Sequence, residues 1–413
     1  MSQGIFSGLK VLDCASFIAG PAAGTILSDF GADVIKIEPP GKGDPHRFLY
    51  ALEPNPRNKR NYFWQLDNRN KRGLALNLKS PAAVDIMKKL LSTADVFIIN
   101  YPPHVRQALG LTYEKIRVLN PRIIYADISG YGEKGPEADK PGFDLTAYWA
   151  RTGLMDSTRN AGSPPTIPVS GIGDHATAST LYGAIVTGLY RREKTGVGCK
   201  VSTSLVGEGA WAASGWIKAA LDGSSVSGAA TDRDKPHNAL ANTYATSDGR
   251  WLILVFVGED KDWPGLVKAL ARPDLLTDPR FADSHHRHAN AIELGQVLNQ
   301  EFAKHPLDYW REALDREHTT FGVVQTISEI AKDPQLIAND IIRPIEGANE
   351  DSGEFTVDSP IKIESEDKVR PRPAPRLGQH SIEILEEMGY QLADILLLAN
   401  AGVIEVEQVK NNK

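Results

Sequence analysis

Cysteine is scarce. Cys14 and Cys199 are the only two in 413 residues, and each falls in a predicted strand, so there is no disulfide framework to build on. A basic excess is missing as well. Against 46 Lys plus Arg stand 52 Asp plus Glu, a net charge of −6, so the chain lacks the positive surface on which non-specific nucleic-acid binding rests. Long apolar runs are also absent. The longest clear one, Trp251 to Val257, falls well short of the roughly 18–20 residues of a membrane span, and the N-terminus shows no charged-then-apolar leader. The expectation is a soluble cytoplasmic enzyme with neither nucleic acid nor membrane among its partners. At roughly 100–200 residues per domain, the length gives two or three domains.

What is present is alternation. Lys10–Ala15, Val34–Glu38, Arg72–Asn77, Asp95–Ile99 and Arg122–Ile128 read as buried strands. Helical stretches lie between them, one opened by Gly20-Pro21 and one by Ser80 with Pro81 at the first helical position. Strands separated by helices predict an α/β fold with a large Rossmann-like domain built on an open, mostly parallel sheet. Ligands of such sheets sit outside the carboxyl ends of the strands. Ser129 to Ser170 is rich in Gly and Pro and reads as an irregular functional surface. A long helix follows from about His175 to Arg192, then a strand at Val201–Leu205 and a small-residue helix over Gly207–Leu221. A linker-like stretch, Asp222 to Thr231, leads to a hairpin within Asn242–Val257 and three helices, a smaller α+β domain. After Pro334 the chain is extended and proline-punctuated, ending in a helix at Ser381–Met388. The predicted parts are 1–221 (large domain), 222–334 (small domain) and 335–413 (a return segment completing the large domain).

Several segments could carry chemistry. Gly20 and Gly24 at a strand-to-helix turn, with Glu38 ending the next strand, invite a dinucleotide reading, but the full G-x-G-x-x-G is absent and Pro21 removes a donor. A basic cluster, Asn68-Arg-Asn-Lys-Arg72, with Lys36, Lys79 and Arg106, suits a multiply phosphorylated small ligand or, equally, a solvated loop. The most informative stretch is Val169-Ser-Gly-Ile-Gly-Asp-His-Ala-Thr177. Asp174 is expected at a helix N-cap, where backbone N–H groups and the helix dipole would keep it ionised. The flanking glycines leave room for another molecule. Such a carboxylate can attack an acyl carbon, although Asp caps many helices with no chemistry at all. Asp144, in Pro141-Gly-Phe-Asp144, is a second loop carboxylate able to face it, and taken alone it is more often structural. Ser284-His-His-Arg-His288 lacks the companion residues of a metal site. There is no Gly-x-Ser-x-Gly elbow and no P-loop, and Lys194-Thr-Gly196 is a chance match to a penicillin-recognising element.

Taken together, Gly8-Leu-Lys-Val-Leu-Asp13, Ile18-Ala-Gly-Pro21, Gly31-Ala-Asp-Val-Ile-Lys-Ile-Glu38, Asn68–Arg72 with Leu76-Asn-Leu-Lys79, Asp95–Asn100, Ser129-Gly-Tyr-Gly132, Gly142-Phe-Asp144, Gly173-Asp174 and Arg192–Gly198 resemble the family III CoA-transferases along nearly the whole chain. In appearance the chain is most similar to members acting on 2-hydroxy acids such as aryl-lactates. The resemblance implies ring-shaped chains in an interlocked homodimer. It also implies coenzyme A, as acyl-CoA, for a substrate, with a carboxylic acid as acceptor and neither a covalently bound cofactor nor a metal. It places the catalytic aspartate at Asp174, with Asp144 nearby, and CoA contacts at Ile18, Ala19, Leu76, Asn77, Lys79, Asn100, Tyr101 and the loop from Lys140 to Asp144. Pro39 and Ala108 stand where the family has basic residues, which shifts phosphate contacts to Arg106 or Lys79. The related racemases carry His where this chain has Phe143, and a phenyl ring exchanges no proton, which disfavours racemisation. No tetraglycine loop is found in the smaller domain, which argues against oxalate as substrate. Phe17, Phe63, Trp64, Tyr148 and Trp149 suit an apolar acyl group or the core. A racemase or isomerase of the same fold and a non-catalytic CoA-binding protein are the alternatives.

Overall fold

The computed structural model describes residues 4–226, 232–346 and 354–407. The chain divides into two compact units. One comprises Met1–Leu154, Ile167–Ser224 and Pro334–Lys413, and the other Met155–Thr166 and Ser225–Asp333.

In the larger unit the strands are β1 (Lys10–Asp13), β2 (Asp33–Glu38), β3 (Arg72–Leu76), β4 (Val96–Ile99), β5 (Ile124–Ser129) and β6 (Cys199–Ser204). They are parallel and lie side by side in the order β3-β2-β1-β4-β5-β6. This is the doubly wound order of dinucleotide-binding sheets, with its topological switch point between the first and fourth strands. The helices in chain order are α1 (Ala19–Asp29), α2 (His46–Leu49), α3 (Tyr62–Asn68), α4 (Pro81–Thr93), α5 (Pro103–Leu109), α6 (Tyr113–Leu119), α7 (Leu154–Ser157), α8 (Ile172–Thr195), α9 (Leu205–Ala212) and α10 (Ser214–Leu221). A π-helix, Asp144–Ala150, precedes α7.

Side-chain alternation explains why each strand reads as an unbroken apolar run. Val11, Val34, Val96, Ile98, Ile124 and Ala126 face α1 and α8, while Leu12, Ile35, Leu74, Phe97 and Tyr125 face the opposite core against α4 and α6. Both faces are covered, so there is no polar side to alternate with.

The smaller unit holds a three-stranded antiparallel sheet of β7 (Thr243–Ala245), β8 (Trp251–Leu254) and β9 (Phe321–Val323). With it come helices α11 (Glu259–Ala269), α12 (Ser284–Ala289), α13 (Ala291–Phe302), α14 (Leu307–Arg316) and α15 (Ile327–Ile330). Its core is built on Trp263, Phe281, Leu294, Phe302 and Trp310. The returning chain carries α16 (Pro334–Ala338), the hairpin of β10 (Ile342–Pro344) and β11 (Phe355–Val357), and α17 (Ser381–Glu387).

The structure differs from expectation in four places. The chain does not end at α17: α18 (Leu392–Asn400) and β12 (Ile404–Glu405) follow, and β12 adds antiparallel to β3 with Ile404 opposite Leu76. The small-residue helix breaks at Ala213 into α9 and α10. Cys14 lies just past the end of β1. The Gly- and Pro-rich stretch is less irregular than its composition suggests, because the π-helix sits inside it. Residues 227–231 of the expected linker lie outside the described residues.

Candidate active site

The loops leaving β1 and β4 meet at the switch point. Asn100, the residue after β4, accepts the Ser16 N–H at 2.9 Å and donates its amide to the Ser16 carbonyl at 2.7 Å. Phe17 next to it has φ of +64°, a left-handed conformation unfavourable for a bulky residue. Its N–H is held by Asp44 Oδ1 at 3.0 Å. Ile18 and Ala19 then open α1. Of the residues expected to touch CoA, the fold therefore brings Ile18, Ala19, Asn100 and Tyr101 together at this switch point. Tyr101 also bonds the thiol of Cys14, which burial pushes up to about 12, so that thiol is a packing group and not a nucleophile.

Behind these loops the basic cluster has a different role from the one expected. Arg69, Asn70 and Lys71 are buried, neither a phosphate-binding patch nor a solvated loop. Arg69 makes a two-pronged pair with Asp29 at 2.9 and 2.6 Å, and Arg72 pairs with Asp33, Glu383 and Glu387. Lys71 Nζ donates to Asp13 Oδ2 (2.8 Å), the Pro21 carbonyl (2.7 Å), the Asp67 carbonyl (2.8 Å) and Asn68 Oδ1 (3.0 Å). Burial brings the Lys71 ammonium down to about 8. Lys36, wholly buried, pairs with Asp44 at 2.7 Å. These ions brace the loop that carries Ser16 to Ala19.

The segment with Asp174 opens α8. Its N-cap is Gly171, at φ +95° with no cap of its own. The helix is capped from another element: Asp144, first residue of the π-helix, accepts the Gly171 N–H at 2.6 Å and the Gly173 N–H at 2.9 Å. Asp174 is the third helical residue and not the cap. This corrects the expectation that backbone N–H groups keep it ionised, because Asp144 has taken them. Burial, reinforced by the Asp144 charge and eased by His175, lifts Asp174 to about 7. Burial likewise lifts Asp144, against the pull of its two backbone bonds. Gly173 is needed for an internal reason: a Cβ there would lie 2.3 Å from Tyr148 Cγ and 2.4 Å from Asp144 Oδ1. The space is already filled by the π-helix, not left open for a ligand.

Other expected residues fall as follows. Leu76 is 1% exposed and its side chain belongs to the core. Asn77 follows β3, with its side chain accepting the Lys79 N–H at 3.2 Å, and Lys79 is exposed. Arg106 is buried, with its guanidinium on Glu133 at 2.5 Å and near Asp127 at 3.9 Å. Lys140 is exposed and pairs with Glu137 at 2.7 Å. Trp64 and Tyr148 are core residues, while Phe143 is 53% exposed and meets Phe17 edge to face at 5.4 Å. In the smaller unit His286 pairs with Asp283 and His288 with Glu259.

Sequence reasoning missed Asp44, His46 and Asp67. Asp67, at the end of α3, is 108 positions from His175, yet its Oδ1 is 2.9 Å from His175 Nε2. No local pattern announces a pair so far apart in sequence. The one available signal was His175 itself, adjacent to Asp174.

A doubly wound sheet with a desolvated carboxylate, Asp174, beside its switch point fits the class to which comparison assigns the chain. It belongs to CoA-transferase family III, whose family model matches residues 6–381, and it is an enzyme. It is similar to (R)-2-hydroxy-4-methylpentanoate CoA-transferase of Clostridioides difficile, at 33% identity over 94% of this chain and 96% of that one. It is also similar to cinnamoyl-CoA:phenyllactate CoA-transferase of Clostridium sporogenes, at 31% identity over 98% of each. Among solved structures, a CAIB/BAIF family protein from Brucella suis superposes with a TM-score of 0.82 at 27% identity, covering 94% of this chain and 100% of that chain.

Proposed function

We propose that the protein moves CoA from an acyl-CoA thioester to a carboxylic acid through covalent intermediates on Asp174. The observation that carries this reading is a partly buried carboxylate in the first turn of α8. Among the described residues no hydrogen bond ties it down, and its helix end is capped by another residue. A carboxylate free of donors keeps its lone pairs for attack.

The steps balance without ATP. Asp174 attacks the donor thioester, breaking the C–S bond and giving a mixed anhydride and CoA thiolate. The thiolate attacks the aspartyl carbonyl, breaking the anhydride C–O bond, so the donor acid leaves and an aspartyl-CoA thioester remains. The acceptor carboxylate attacks that thioester and expels the thiolate again. The thiolate then attacks the acceptor carbonyl, releasing the new acyl-CoA and free Asp174. Asp144 is a positioning residue for this group, since it fixes Gly171 and Gly173 on either side of Ile172. The switch-point residues Ile18, Ala19, Asn100 and Tyr101, with Asn77, Lys79 and Lys140, are the contacts we assign to CoA.

The acceptor class we infer is a 2-hydroxy acid with an apolar side chain. Two relatives are named for such acids, and the Phe17–Phe143 pair offers an apolar wall next to Asp144. Phe143, lacking an exchangeable proton, supports transfer over racemisation. The functional particle is inferred to be an interlocked homodimer, which light scattering in solution tests as a dimer. The reading as a whole is tested by Asp174→Asn, with turnover followed chromatographically and CoA binding by calorimetry. Lost turnover with retained binding is expected, and normal turnover refutes the nucleophile.

A further inference from the structure

Asp174 carries a physical difficulty that the transfer reaction must overcome. Burial, the neighbouring Asp144 and, more weakly, Asp67 favour its protonated form, which cannot attack. The adjacent His175 lies where it can oppose them. Its Nε2 is 2.9 Å from Asp67 Oδ1, and its other ring edge turns to Gly171, where a Cβ would lie 3.8 Å from Nδ1 and Cε1. A buried carboxylate at hydrogen-bond distance from a ring nitrogen favours the charged imidazolium.

The support behind Asp67 has the same sense. Asp67 is 2% exposed, its main-chain carbonyl accepts Thr25 Oγ1 at 2.5 Å and Lys71 Nζ at 2.8 Å, and its second carboxylate oxygen faces His46 Nε2 at 3.3 Å without hydrogen-bond geometry. Burial keeps His46 low, so it is neutral and the Asp67 charge is left to His175. The remaining charges around His175 are Asp144 on the π-helix and, lining a cavity of about 630 Å³ with it, Arg69, Asp340, Asp358 and Lys362. Arg69 is engaged by Asp29, Lys362 donates to the Asn339 carbonyl, and Asp358 is answered by Lys368 from outside the cavity lining. Glu208 of α9 takes the Thr180 hydroxyl at 2.6 Å.

We propose that His175, braced by Asp67, is a positioning residue whose imidazolium holds the Asp174 carboxylate ionised for attack. This rests on Asp174 being the nucleophile. Asp67 lifts His175 to about 9 against the cost of burial, and the His175 charge pulls Asp174 down against burial, Asp144 and Asp67.

The test is the pH dependence of kcat/KM for the wild type, His175→Gln, His175→Lys, Asp67→Asn and the His175→Gln/Asp67→Asn double variant, on a donor–acceptor pair that the wild type turns over. The wild-type acid limb is expected near pH 7. In His175→Gln it moves up by roughly 1 unit or more, the usual effect of removing an adjacent opposite charge, so the loss is about tenfold on the acid side and smaller on the alkaline side. Asp67→Asn moves it the same way but by less, because the Asp67 charge itself raises Asp174; the double variant does not exceed His175→Gln, and His175→Lys restores part of the shift. Should Asp67→Asn fail to fold, ¹⁵N NMR of the wild-type histidines decides: His175 should remain doubly protonated well above neutrality, and a neutral ring at pH 7 overturns the proposal. Variants that lower the rate equally at every pH also overturn it. If Asp174→Asn stays active, the nucleophile reading fails; if it is dead while His175→Gln leaves the acid limb in place, only the role of His175 fails.

Discussion

Asp174→Asn should cost the enzyme its chemistry and yet make it more stable in alkaline buffer. In the native state the Asp174 proton is held up to about pH 7, whereas the free carboxyl releases it near 3.8. Between those values the folded protein binds more protons than the unfolded chain, so native stability falls as pH rises, and the whole deficit is present above about pH 7. Asparagine has no proton to lose. The advantage of the variant is therefore absent below about pH 4, grows through the interval and levels off above about pH 7. A shift of about 3 units at about 1.4 kcal/mol each sets a ceiling of about 4 kcal/mol. Partial exposure of the side chain to water reduces that to about 1–2 kcal/mol, or a rise of a few degrees in midpoint. Two compact units need not unfold in one step, so the comparison uses the pH dependence of the difference in thermal midpoint, followed by differential scanning fluorimetry. A difference that does not vary with pH, or a variant less stable than the wild type at pH 8, refutes the claim that Asp174 is held in a desolvated, like-charged setting.

Three further substitutions probe the surroundings. Asp144→Ala removes the acceptor for two N–H groups at the head of α8; we expect a loss of about 1–2 kcal/mol in stability and a drop in kcat greater than any change in CoA affinity, measured by urea unfolding and steady-state kinetics. Gly173→Ala drives a methyl group into Tyr148 and Asp144, so activity should collapse while secondary structure by circular dichroism stays near wild type; full activity would show that the turn is not tightly packed. Lys71→Met leaves Asp13 buried without its closest cation, and a destabilisation of about 3–5 kcal/mol is expected; an unchanged unfolding midpoint would mean that the cluster braces nothing.

The sheet was legible because a parallel strand covered on both faces has no polar side, and Leu-Lys-Val-Leu-Asp or Val-Phe-Ile-Ile at such spacing fits little else. The helix start at Pro81 was legible, since Ser80 with proline at the first helical position marks it, and α4 begins there. The Asp174 segment was visible as two glycines ahead of an acid and a long helix, but its capping was not. Asp174 looked like the cap because the true one, Asp144, comes from a π-helix some thirty positions upstream. The fate of Arg69 to Arg72 was equally hidden: a run of cations signals charge, and only tertiary structure shows whether water, a ligand or buried carboxylates answer it. Here Asp13, Asp29 and Asp33 do, each on or beside the β1–α1–β2 unit.

The covalent route can be read directly in the oxygen atoms. When the acceptor carboxylate attacks the aspartyl thioester, one of its oxygens becomes the bridging atom of the anhydride, and the closing attack of thiolate on the acceptor carbonyl leaves that oxygen on Asp174. One cycle with acceptor labelled with oxygen-18 on both carboxyl oxygens, followed by proteolysis and mass spectrometry, should yield an Asp174-containing peptide heavier by one oxygen-18, with fragmentation locating the label in that side chain. An enzyme that completes the cycle with its Asp174 peptide unlabelled, or with the label on another residue, contradicts the account.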